Sequence, residues 1–227
     1  MSAPYTIVGT PFSTFTRAIS LGMKHKGLPY NQISTPPLTS IAFDYHPFGF
    51  LPTLVIHEID GKRVDLKLRE SHAILRYIDR VAPEPKLEIK SGEGGALVEE
   101  KMWEFVSLVA FFGFPIVEGG VVKPRVKALD EGKLSDTQVR AQIQEGVAKL
   151  SEFLALMASL MAPEGFAFGE KLTWADFFLY PLLSDLSMVP EWKEIVPARI
   201  YSWFDRMAEV EAVKATAAGT LSVGARP

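Results

Sequence analysis

Every strand-like run in this chain lies before residue 70, and every later apolar pattern has helical spacing. That switch restricts the fold to a small mixed α/β unit followed by an all-helical one. Tyr5 to Val8 is short, apolar and β-branched and reads as a strand. Gly9, Thr10 and Pro11 end it. From Phe12 to about Lys26, Phe15, Ala18, Ile19 and Met23 recur at helical spacing, and Gly27 follows as a stop. Tyr30 to Ser34 is a second strand. Thr35 to Gly49, with Pro36, Pro37, Pro47 and Gly49, is expected to be mostly irregular. Thr53 to Ile59 and Arg63 to Leu68 are strands joined at Asp60-Gly61, a hairpin signal. Glu70 to Val81 has the periodicity of a helix.

The stretch Ala82 to Gly95 is rich in Pro and Gly and is the best linker candidate. The expected division is a first domain over 1–82, a linker over 83–95 and a helical domain over 96–227. Helical patterns cover about Ala96 to Phe112, Ser135 to Met161, Thr173 to Leu186 and Pro197 to Val213. Residues 112–134 carry no motif that can be placed, and the tail from Ala217 is expected to be loosely held. Thr173-Trp174-Ala175-Asp176 has the form of a capping box, with Leu172 and Phe177 spaced as a hydrophobic staple. Asp176 is therefore read as structural.

Composition removes several chemistries. The chain has no cysteine, so it can form no disulfide, thiolate nucleophile or Cys-ligated metal site of its own. Its four histidines show no paired ligand spacing, and no metal site is expected. A net charge of −3 with scattered Lys and Arg argues against a nucleic-acid footprint. No membrane partner is expected either: the most apolar stretch, Phe105 to Val117, is interrupted by Gly113 and Pro115 and falls short of the roughly 20 residues that span a bilayer. Met1 to Tyr5 shows no basic stretch leading into an apolar core, and a cytoplasmic location is the expectation.

Three short motifs can carry chemistry. In Leu51-Pro52-Thr53 a proline opens a strand. A cis bond there would turn the Leu51 backbone outward, where an extended peptide could pair with it, whereas a trans bond would make it an ordinary strand start. Glu70-Ser71 opens a helix. Free N–H groups and the helix dipole favour a carboxylate at such a place, while Glu70 suits an ammonium. The same pair also reads as a plain cap. In Thr10-Pro11-Phe12-Ser13-Thr14 the Ser13 hydroxyl can donate to an anion, or Ser13 or Thr10 can simply cap the helix.

Taken in order, these elements resemble the thioredoxin-like domain of glutathione transferases. Pro11-Phe12-Ser13 followed by Thr16-Arg17 resembles the Ser-containing start of the plant phi class, with tau-like features. His46-Pro47-Phe48-Gly49-Phe50-Leu51-Pro52 resembles that class's Asn-Pro-Phe-Gly-Gln-Val-Pro segment. Asp65 to Ile74 is close to its pre-helix signature, and fungal members show similar mixtures. Leu172 to Phe177 and Trp203 to Val213 resemble helices of the family's second domain. The resemblance implies an α+β chain, a thioredoxin-like N-terminal domain followed by an all-α C-terminal domain, that uses glutathione as co-substrate. It implies that Ser13 donates to the glutathione sulfur, that Leu51 and Pro52 present the backbone to its cysteinyl part, and that Glu70 and Ser71, with His46 nearby, hold the rest. Phe12, Met102, Trp103, Phe105 and Phe111 become candidates for a pocket that takes a small hydrophobic electrophile or aromatic ligand. A detoxifying enzyme and a homodimer are also implied. Arg69, His72 and Arg76 are expected on one helix face, opposite Glu99 and Glu100 of a second copy.

Two departures stand out. Phe50 occupies the place of a polar Gln, and no Lys or Arg occurs from Asn31 to Gly61, where relatives carry a basic residue for the glycyl carboxylate. These favour the alternative of a non-catalytic carrier of apolar aromatic molecules. A thiol-disulfide reductase is excluded by the absent cysteine, and an interaction module without activity ranks last.

Overall fold

The structure is a computed structural model that describes residues 3–90 and 95–226. Four linker residues expected between the domains, Ser91 to Gly94, lie outside the described residues. The fold class expected from the sequence is the one found: a small mixed sheet with helices, then a helical remainder.

The first unit opens with β1 (Tyr5–Val8), α1 (Thr14–His25) and β2 (Tyr30–Ile33). The helical crossover makes β2 parallel to β1. A short helix, α2 (Ser40–Tyr45), precedes β3 (Thr53–Ile59) and β4 (Lys62–Arg69), and α3 (Ser71–Val81) closes the run. The sheet order is β2-β1-β3-β4, with β3 antiparallel to both neighbours. Asp60 and Gly61 both take positive φ, 51° and 74°, in the tight turn joining β3 and β4. Ile7, Leu54 and Ile56 of the sheet are buried with Ile19 and Met23 of α1 and Ile74 and Ile78 of α3. Lys26 has a fully buried side chain at the end of α1. Its ammonium donates to the carbonyls of Ala82 and Pro85 at 2.8 and 2.7 Å and pairs with Asp79, tying α1 to the end of α3.

Residues 35–49, expected to be irregular, contain α2. Thr39 caps it by accepting from the Ala42 N–H at 3.2 Å. Six residues are too few to show a periodicity. The expected tail is also different. Contacts group Val210–Pro227 with Met1–Glu88, so the helical domain ends at Glu209 rather than at residue 227. The helix expected over Pro197 to Val213 is correspondingly two helices, α9 (Ala198–Ala208) and α10 (Glu211–Ala215), and α10 packs on α1. Thr220 and Leu221 beyond it are buried, so that part of the tail is held rather than loose.

The second unit, Ile89–Glu209, begins with α4 (Val98–Leu108). The helix does not stop at Gly113 or Pro115. It continues through two π-helical segments, Val109–Gly113 and Pro115–Val122, into α5 (Lys123–Glu131). Looser π-type pairing accommodates a proline that lacks an N–H. The whole run Val98–Glu131 is long and apolar enough to cross a membrane, with a mean hydropathy of 2.0 over its best window, and is the one such helix among the described residues. Here it packs on α6 (Asp136–Leu160) and α7 (Trp174–Leu186). At the α6 crossing, a Cβ on Gly146 would collide with the Gly120 carbonyl oxygen, so the two backbones touch.

Every residue of α7 is buried. Asp176 is fully buried at its start and accepts four hydrogen bonds: from the N–H groups of Ala167 and Thr173 at 2.7 and 2.8 Å, and from Thr173 Oγ1 and Trp203 Nε1 at 2.8 Å each. The short Asp side chain thus reaches its cap, and it also pins α9 through Trp203. Arg125 is buried between Glu191 and Asp136, and Arg140 links Asp136 to Glu194. This chain of ion pairs joins α5, α6 and the short α8 (Trp192–Ile195).

Glu118, in the second π segment, is also buried, and its Oε1 has no hydrogen-bond partner among the described residues. Burial pushes its carboxyl up to about 7, against a smaller pull from Lys123. An unfolded carboxyl titrates near its ordinary value of about 4.3. The folded state therefore holds an extra proton between those values, and stability falls as pH rises through that window. Glu118→Gln is expected to remove this loss, visible as a smaller drop in denaturation midpoint between about pH 5 and pH 8 than the parent shows.

Candidate functional site

The antiparallel register places Val8 of β1 beside Thr53 of β3, and Thr53 beside Arg69 of β4. β1 and β4 end at this row, and β3 begins there. Neighbouring strands lie about 4.8 Å apart. Three segments far apart in sequence therefore emerge together: residues 9–13 after β1, 46–52 before β3, and Glu70-Ser71 after β4.

Ser13 is the N-cap of α1. Its Oγ accepts from the Thr16 N–H at 3.5 Å, its N–H donates to the Thr10 carbonyl, and the Arg17 N–H donates to the Ser13 carbonyl. Accepting uses an oxygen lone pair and leaves the hydroxyl proton available to a ligand. Ser13 and Phe12 are half-buried. Thr10 Oγ1 accepts from the Phe12 N–H at 3.3 Å, and Thr14 is buried.

The Leu51–Pro52 peptide bond is cis, the outcome that the sequence left open. Leu51 is half-buried and Pro52 buried. Thr53 closes that motif without a role of its own in the sequence reading; its buried Oγ1 has no partner among the described residues. Glu70 has φ +66° and an exposed carboxylate, and Ser71 begins α3 behind it. The exposed Glu70 and half-buried His72 are close enough to interact. Burial lowers the His72 pKa, with the Glu70 charge opposing.

His46 is buried between two of these segments. Its Nδ1 accepts from the Phe48 N–H at 3.1 Å, which puts the ring proton on Nε2, 3.4 Å from Glu70 Oε1. His46 thus steadies the 46–50 turn and orients Glu70. His57 is engaged elsewhere, between Thr6 Oγ1 at 2.8 Å and Asp65 Oδ1 at 2.6 Å. The segment that lacks its own Lys or Arg receives two from β4. Lys67 Nζ donates to the Asp44 carbonyl at 2.6 Å and Arg69 Nε to the Tyr45 carbonyl at 2.8 Å. Strand pairing supplies them, so no local sequence signal could.

Other expectations are corrected. Met102 and Phe105 are fully buried in the helical core, Phe105 edge-on to Phe168 at 5.8 Å, and offer no surface to a ligand. Trp103 is half-buried, and Phe111 is 77% exposed. Arg69 is the last residue of β4, not part of the α3 face with His72 and Arg76, and its guanidinium is committed to Tyr45.

Comparison with known proteins agrees with this architecture. The family model of the glutathione S-transferase N-terminal domain matches residues 12–81, and that of the C-terminal domain matches residues 140–206. Together they cover more than half of the chain, which belongs to the glutathione transferase family. Its fold is similar to that of a glutathione S-transferase from Rhodospirillum rubrum, at 22% identity and TM-score 0.75 over 98% of this chain and 96% of that one. It is also similar to a glutathione transferase from Populus trichocarpa, at 20% identity and TM-score 0.72 over 94% and 97% of the two chains. A glutathione transferase homologue from Sulfitobacter, solved with bound glutathione, matches at 16% identity and TM-score 0.69 over 94% and 96%. No curated protein matches by sequence.

His46→Ala removes both contacts of the ring, whereas His46→Asn retains an amide oxygen near the position of Nδ1. Amide exchange at Phe48, followed by NMR, is expected to speed up by about tenfold or more in the Ala variant and much less in the Asn variant.

Proposed function

We propose that this chain is a glutathione transferase that uses a Ser-stabilised thiolate of glutathione to attack small hydrophobic electrophiles. The observation that carries this reading is the Val8–Thr53–Arg69 row, from which the Ser13, Leu51 and Glu70-Ser71 segments all emerge. In this reading the Leu51 backbone pairs with the cysteinyl part of the tripeptide, Glu70 takes the γ-glutamyl ammonium, and Ser71 with the start of α3 takes its carboxylate. Lys67 is the cation best placed near α2 for the glycyl carboxylate.

The chemistry needs the thiol ionised. A free thiol has pKa ~8.5. Lowering it by about two units requires ~2.7 kcal/mol of preference for the thiolate. The Ser13 hydroxyl proton and the N-terminal end of α1 are the sources of that preference. Thr14 is buried, and Ser13 rather than Thr10 caps α1 and stands at its N-terminal end, which favours Ser13 as the donor. The thiolate then forms a carbon–sulfur bond to the electrophile, whose leaving group departs with the electron pair. Exposed Phe111 and half-buried Phe12 and Trp103 remain the aromatic candidates for apolar contact. A cytoplasmic, detoxifying homodimer goes with the same reading; a monomer mass by light scattering at micromolar concentration would remove the dimer.

Calorimetric titration with glutathione is expected to show saturable binding, weakened in Glu70→Ala and Ser71→Ala. Ser13→Ala is expected to bind glutathione almost as well while conjugation to a chlorodinitrobenzene slows about ten- to a hundredfold. Unchanged conjugation in that variant would remove Ser13 from the reaction, and absent binding at millimolar glutathione would remove the transferase reading altogether.

A further inference from the structure

We propose that the C-terminal segment, residues 216–226, is a positioning element for the Ser13 loop, acting through contact between Gly219 and Pro11. The sulfur-directed part of this inference rests on the proposed role of Ser13; the contact itself does not.

Three observations carry it. First, the segment belongs to the first unit by its contacts, although some 200 residues separate it in sequence from β1. α10 packs on α1, and Thr220 and Leu221 are 1% and 2% exposed. Second, it is tied together by its own bonds. The Thr220 hydroxyl donates to the Ala217 carbonyl at 2.7 Å and lies 2.8 Å from Ser222 Oγ, and the Ala225 N–H donates to the Thr220 carbonyl at 3.1 Å. Third, Gly219 meets Pro11 with no room to spare. A Cβ on Gly219 would lie 3.2 and 3.3 Å from Pro11 Cβ and Cγ, and the glycine has φ +78°.

Pro11 is two residues before Ser13, and the Ser13 N–H is bonded to the carbonyl of Thr10, just ahead of Pro11. A displacement of the Pro11 ring is therefore passed through a single turn to the Ser13 cap. The first strand positions this loop from its β1 end and α1 from its other end; the C-terminal segment abuts its middle. A small error in such placement is costly, since about 1 Å can cost on the order of a hundredfold in rate.

Gly224 provides the control. It lies in the same segment at φ +85°, and a Cβ there would have nothing within 4 Å. Gly224→Ala thus imposes the backbone strain of an alanine at positive φ without touching Pro11. The experiment compares Gly219→Ala, Gly224→Ala and the parent in the full-length chain. Amide hydrogen exchange without ligand reads the loop directly: Phe12 and Ser13 are expected to exchange about tenfold faster in Gly219→Ala, with Gly224→Ala like the parent. Ultraviolet titration of bound glutathione then reads the sulfur, whose pKa is expected to rise in Gly219→Ala while its affinity changes little. Loop exchange that is unchanged, or changed equally in both variants, overturns the contact. Faster loop exchange with an unaltered thiol pKa overturns the positioning role. Should Ser13→Ala also leave the thiol pKa unaltered, the assignment of Ser13 fails instead, and the exchange result still decides whether the tail holds the loop.

Discussion

The row Val8–Thr53–Arg69 is the constraint on which the candidate site depends. Backbone hydrogen bonding in the sheet admits one register wherever a face is buried, because a slip of one residue would turn Leu54 and Ile56 out of the core. Fixing that register fixes the relative height of two strand ends and one strand start. The three segments leaving the row are thereby brought together.

Side chains finish what the register begins. His46 spans the 46–50 turn and the start of α3 by accepting at one ring nitrogen and donating at the other. Lys67 and Arg69 hold the last carbonyls of α2, groups that a helix end leaves unpaired. The cations that residues 31–61 lack thus reach that segment from the neighbouring strand. In the helical unit the organising contacts are of another kind. Asp176 gathers four donors from a loop, a cap and α9, while Gly120 and Gly146 bring two helical backbones into direct contact. Asp176 stands at the start of α7, whose every residue is buried.

Much of this was legible in the sequence because it is local. Alternation and β-branching marked β1, β3 and β4, Asp60-Gly61 marked the hairpin, and Thr173 with Asp176 marked the start of α7. α2 was not legible, since one capped turn among prolines carries no period. The helical run from Val98 to Glu131 was misread at Gly113 and Pro115 because a break signal describes α-helical pairing, and the chain passes through that stretch with π-type pairing instead. Met102 and Phe105 show a second limit: an apolar residue on a helix has the same signature whether it faces a ligand or the core, and here it faces the core.

The sequence by itself determined the class of the two parts, the order of their elements and the residue types able to meet a thiol or a carboxylate, because these follow from periodicity, caps and composition over a few neighbouring residues. Tertiary structure alone decided that Val8, Thr53 and Arg69 stand side by side, that β4 lends its cations to α2, and that Gly219 returns to Pro11 from the far end of the chain. Those are contacts between residues tens to hundreds of positions apart, set by which surfaces bury each other, and no local pattern encodes them.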